Sequence, residues 1–166
     1  GNTIQIGLRN IKALIWLEFD WGGRAPRLVQ IPPPKKTIGE STLAKQLQYG
    51  LRQMALVKIT QKGFERVVEL GWSKRSGGPI QRTLVLEIMG RHSNLLLLDE
   101  QKKIITLGRQ VREHQSRKRP ISTGDLYVPP PPLKGISPSQ EETFDRWKER
   151  LLLIPTTLGE AIQKTY

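Results

Sequence analysis

The sequence predicts an α+β fold: an antiparallel β-sandwich or flattened barrel with one packed helix and further helices at the C-terminal end. Three observations predict it. Short apolar runs recur at even spacing with turn residues between them. A single stretch in the first half carries leucines at four-residue spacing. Finally, the proline run Pro129-Pro130-Pro131-Pro132 separates this strand-rich part from an amphipathic tail. The division expected is a sheet domain over residues 1–133 and a helical segment over 134–166.

Taken in order, Thr3–Leu8 alternates with period two, as a half-buried strand does. Ala13–Phe19 reads as a second strand with Asp20-Trp21-Gly22-Gly23 as its turn, and Arg27–Ile31 as a third stopped by prolines. Ser41 or Thr42 can cap a helix running to about Gln53, with Leu43, Leu47 and Leu51 as its core stripe. Lys45, Tyr49 and Arg52 share another face of that helix, a basic stripe with one aromatic that most often marks a solvated surface and less often a contact with RNA. Strands are then predicted at Ala55–Gln61, Phe64–Ser73, Gln81–Met89, Asn94–Asp99 and Ile104–Val111, with turn residues between them. Arg112–Pro120 is polar, basic and aperiodic, as an exposed loop would be. Ser139–Leu153 has helical periodicity, Pro155 breaks it, and Thr156 or Thr157 caps a last helix through Tyr166.

The chain has 27 Lys and Arg against 15 Asp and Glu, a formal net charge of +12. Residues 134–166 hold five of each sign, so the whole excess lies in residues 1–133. Such an excess draws polyanions, and nucleic acid is the first partner to consider. There is no cysteine, and the two histidines, His92 and His114, form no metal-binding spacing, so neither a metal site nor a cofactor is expected. No segment approaches the ~18 apolar residues of a membrane span. No signal peptide opens the chain, which points to the cytoplasm. Gly1-Asn2 run directly into a strand and Ala161–Tyr166 stop inside a helical pattern, as in a piece of a longer protein.

One stretch carries more than its neighbours. Between the apolar runs ending at Met89 and starting at Leu95 lie Gly90, Arg91, His92, Ser93 and Asn94, polar residues pinned between core strands. They suit a rigid binding site, with Arg91 and His92 as donors to phosphate or ribose. They suit equally a tight hairpin turn built on Gly90 and Asn94. Glu65-Arg66 reads as an ordinary edge-strand charge pair or as an oriented phosphate donor, and spacing favours the former. Arg109, Arg112, Arg117, Lys118 and Arg119 form a basic cluster suited to sequence-independent phosphate contact. No catalytic constellation includes these residues. Ser93 lacks a nucleophile elbow, and no glycine-rich phosphate loop is present, so the chain reads as a binding module and not an enzyme.

Together, Glu87-Ile88-Met89-Gly90-Arg91-His92-Ser93-Asn94 with the apolar strand to Asp99, Gln46–Arg52, Phe64–Val68 and Gly124–Pro130 resemble the NFACT amino-terminal domain. That family includes RqcH and proteins called fibronectin-binding protein A. The resemblance covers essentially the whole chain and looks most like the cyanobacterial and chloroplast branch. It implies a fold similar to the N-terminal domain of formamidopyrimidine-DNA glycosylase, preceded by family sequence before Gly1 and followed by a helix-hairpin-helix region opened by Leu158–Tyr166. It also implies binding of tRNA and of the large ribosomal subunit carrying a stalled nascent chain, in support of C-terminal alanine tailing. An Asp-Arg pair implicated in handling tRNA maps onto Glu65-Arg66, where the acid is one methylene longer. Two other readings follow from the same resemblance: a DNA glycosylase-like enzyme, whose N-terminal Pro-Glu is missing here, and a fibronectin-binding adhesin.

Overall fold

The computed structural model describes residues 1–35, 41–116, 119–132, 135–137 and 139–166. The chain divides into two compact units, one of Gly1–Lys62 with Arg66–Pro129 and one of Gly63–Glu65 with Pro130–Tyr166. The boundary expected between residues 133 and 134 falls outside the described residues, as do Arg117 and Lys118.

The first unit holds two antiparallel sheets, each a simple meander in which every strand pairs with its neighbour in sequence. Strands β1 (Thr3–Arg9), β2 (Leu14–Asp20) and β3 (Arg27–Ile31) form the smaller sheet. Strands β4 (Ala55–Gln61), β5 (Val67–Ser73), β6 (Arg82–Glu87), β7 (Asn94–Leu98) and β8 (Ile104–Leu107) form the larger. Neither sheet closes on itself, so the arrangement is α+β with open sheets and no barrel. Helix α1 (Thr42–Gly50) lies between β3 and β4 in the chain. The Ser41 hydroxyl accepts from the Ala44 amide at 3.2 Å, supplying the N-cap that the sequence called for.

The unbroken leucine run of β7 follows from burial on both faces. Leu95 and Leu97 join Leu84, Leu86, Val68, Leu70, Trp72, Phe19 and Ile4 in a core that α1 completes with Leu47. Leu96 and Leu98 point the other way and join Val85, Ile104 and Ile121 in a second core beneath the segment that follows β8. Period two survives in the packing even though the letters do not alternate.

Three expected elements are shorter than their sequence patterns. The strand drawn from Phe64 starts at Val67, because Gly63 takes φ +55° and turns the chain there. The strand drawn to Val111 ends at Leu107, just before Gly108 passes against the Trp21 indole. The helix drawn from Ser139 begins after Thr143, whose hydroxyl accepts from Arg146 N–H. In the second unit, α2 (Phe144–Leu152) and α3 (Leu158–Thr165) pack on one another, with Leu151 and Ala161 buried. Thr157 caps α3, and Ile136 N–H bonds Thr165 O at 2.8 Å.

Candidate nucleic-acid interface

The polar insert between β6 and β7 is a single 3-10 turn, Gly90–His92, held at both ends by buried side chains. Glu87 and Asn94 face each other where the hairpin closes. Gly90 adopts φ +54°, a conformation that glycine enters without strain. The Ser93 hydroxyl accepts from Met89 N–H at 2.8 Å and donates to Gly90 O at 2.7 Å. The Asn94 amide donates to Arg109 O at 2.7 Å, and its oxygen accepts from Arg109 N–H at 2.9 Å and Leu95 N–H at 3.0 Å. Ser93 and Asn94 are therefore turned inward and bonded to the scaffold, which sets them apart from the exposed residues of the insert.

Arg91 and His92 point outward. Arg91 Nε–H donates to His92 Nε2 at 3.3 Å, and both residues are exposed. Arg109 reaches over from beyond β8 and donates to Arg91 O at 2.7 Å, so one guanidinium braces the backbone that carries another. The turn after β2 closes on the same place. A Cβ on Gly23 would lie 3.2 Å from Arg91 Cα, and Arg24, the next residue, is exposed. Among the described residues none of Arg24, Arg91, His92 and Arg109 forms an ion pair with a carboxylate. Arg91, His92 and Arg109, on backbone fixed by buried hydrogen bonds, make a preorganised donor cluster suited to an anion.

Arg119 has a different fate. Its guanidinium lies against the Glu87 carboxylate through both terminal nitrogens, one at 3.0 Å, and its Nε–H donates to Val128 O at 2.8 Å. Glu87 is fully buried, and the Arg119 side chain is 15% exposed. The Tyr127 hydroxyl donates to the same carboxylate at 3.0 Å, and its ring lies 5.7 Å beneath the guanidinium. Burial and the adjacent Glu87 charge push the Tyr127 phenol well up from its ordinary value. Arg119, expected among the phosphate-contacting residues, uses Nε and both terminal nitrogens to fasten its segment to Glu87 and Val128. Arg112 lies apart from the Arg91 turn, in an open cleft of about 600 Å³ shared with Glu113, Arg119, Asp125 and Leu126. Acids beside it make that cleft a poor match for phosphate.

Glu65 and Arg66 occupy the turn before β5 and not the strand itself. Both are partly buried and both are engaged. Arg66 O accepts from Ile88 N–H at 2.8 Å, which ties this turn to the base of the Arg91 insert. Sequence reasoning missed Glu87 and Gly23 as contributors. Glu87 carried a signal, being a carboxylate inside an apolar strand that could be buried only with a partner. Gly23 carried none, since its place depends on how the β2–β3 turn packs.

A family model described as NFACT N-terminal and middle domains matches residues 1–166. The chain belongs to the NFACT family. Curated relatives of this NFACT chain include the Rqc2 homolog RqcH of Streptococcus pneumoniae, 35% identical over 101 residues that cover 59% of this chain and 18% of the relative. The Rqc2 homolog RqcH of Streptococcus suis is 33% identical over 111 residues, covering 63% of this chain and 20% of the relative. The chain thus spans about a fifth of the length of these relatives. Among solved structures, the N-terminal domain of fibronectin-binding protein PavA from Streptococcus pneumoniae aligns over 99% of this chain and 62% of that one. Its TM-score is 0.77 at 23% identity, a likeness of fold. The fibrinogen binding protein from Staphylococcus aureus aligns over 81% of this chain and 47% of that one, with a TM-score of 0.65 at 28% identity.

Proposed function

We propose that this NFACT chain is an RNA-binding module of a cytoplasmic, ribosome-associated quality-control factor. In this role it grips tRNA at a large ribosomal subunit that carries a stalled nascent chain. The observation that carries the reading is the cluster of Arg91, His92 and Arg109, rich in donors and ion-paired to no carboxylate among the described residues, on a chain of net charge +12. The likeness to relatives named RqcH supports it. Arg91 and Arg109 contact phosphate as fork-shaped donors, His92 extends the contact, and the Glu65–Arg66 turn sets the base of the insert. Peptide-bond chemistry in alanine tailing belongs to the ribosome, so the module contributes binding and orientation. The test is co-sedimentation with large subunits bearing peptidyl-tRNA. The wild-type chain is expected in the subunit pellet and Arg91→Ala/Arg109→Ala in the supernatant; equal pelleting of the two would contradict the proposal.

A second reading, adhesion to fibronectin, is supported by the likeness of fold to the fibronectin-binding protein PavA. Immobilised fibronectin that retains the chain as strongly after Arg91→Ala/Arg109→Ala, with no pelleting by subunits, would favour it.

A further inference from the structure

Tyr49 is 84% exposed, with Lys45 one helical turn before it and Arg52 nearly one turn after. The ring has no place in the core, which takes Leu43, Leu47 and Leu51 from the other side of the helix. It borders a shallow groove of about 300 Å³ where α1 meets β8, lined chiefly by Lys45, Gln46, Tyr49, Gly50, Ile105 and Thr106. Gly50 makes the groove possible, because a Cβ there would lie 2.6 Å from Leu97 Cδ2 and force the helix end away from the sheet. The Thr106 hydroxyl donates to Gln46 Oε1, which fixes the groove wall and leaves the Gln46 amide N–H groups without a partner in the described hydrogen bonds. Among the described residues no acid lines the groove, and α1 contains none.

We propose that this groove receives one unstacked base of single-stranded RNA. The base stacks on Tyr49, its polar edge meets Gln46 and Thr106, and Lys45 and Arg52 hold the flanking phosphates. The inference rests on the RNA-binding reading and adds a second contact to it. The charge is of the right sign, the floor is flat and apolar, and a groove of this size admits one base but not a duplex. An amphipathic peptide helix would need a continuous apolar channel, whereas Lys45, Gln46 and Thr106 interrupt this one.

Fluorescence-polarisation titration of the full chain with short oligoadenylate, with the same sequence as a duplex, and with tRNA tests the proposal. Tyr49→Ala is expected to weaken oligoadenylate binding about tenfold, while Tyr49→Phe binds as wild type and duplex binding is the same in all three. Exposure of Tyr49 means that the substitution leaves folding intact, which thermal unfolding checks. Oligoadenylate binding unchanged by Tyr49→Ala, or duplex binding weakened as much as oligoadenylate binding, would overturn the groove assignment. If tRNA binding falls in Arg91→Ala/Arg109→Ala but not in Tyr49→Ala, the groove assignment fails and the proposed function stands. If oligoadenylate binds through Tyr49 while tRNA does not bind, the groove stands and the proposed function fails.

Discussion

Arg91 and Arg119 present the same guanidinium to different surroundings. Arg91 is exposed and faces no carboxylate, whereas Arg119 closes over the buried Glu87. Removing each should therefore be felt in different measurements. Among the described residues, Arg119→Ala leaves Tyr127 as the remaining side-chain donor to a buried carboxylate, and should destabilise the chain by about 3 kcal/mol in urea unfolding. Arg91→Ala should leave stability within about 0.5 kcal/mol and weaken RNA binding instead. Tyr127 adds a pH dependence to the same cluster. Its raised phenol keeps its proton in the folded chain after the unfolded chain has released it, so its stabilising contribution is whole below about pH 10 and is lost as pH rises beyond. Unfolding titrations at rising alkaline pH should show wild type losing stability faster than Tyr127→Phe; parallel curves would refute this. The sequence showed these residues but not their fates. Arg119 and Arg91 look alike in a basic chain, and only the position of Glu87 across 32 residues separates them.

At the level of elements, the two sheets are joined to the Arg91 turn through glycines that permit close approach. A Cβ on Gly108 would lie 2.6 Å from Trp21 Nε1, and one on Gly23 would lie 3.2 Å from Arg91 Cα. Gly108→Ala should push the β2–β3 turn outward, cost about 1–3 kcal/mol, and weaken RNA binding by moving Gly23 away from the Arg91 backbone. Unchanged melting and unchanged affinity in that variant would show that the turn does not help to place the site. Strand existence was legible throughout, because alternation, glycine turns and prolines mark the strands locally. Strand ends were less so. Leu107 is the last residue of β8 because of what Gly108 must pass, a contact with a residue 87 positions earlier.

For the whole molecule, charge distribution was readable from composition and topology was not. The +12 excess makes polyanions the expected partners, whereas the meander of the five-stranded sheet needed the folded chain. So did the closure of Arg119 over Glu87 and the approach of the β2–β3 turn to the Arg91 backbone. Glu65 and Arg66, paired by resemblance, are both engaged. The central claim is electrostatic, so it is tested most directly by a filter-binding titration of tRNA over a series of salt concentrations. The logarithm of the association constant should fall steeply with the logarithm of salt concentration for wild type, and Arg91→Ala/Arg109→Ala should flatten that slope by about 1–2 as two phosphate contacts are lost. The same slope and affinity in both proteins, with both folded, would contradict the account.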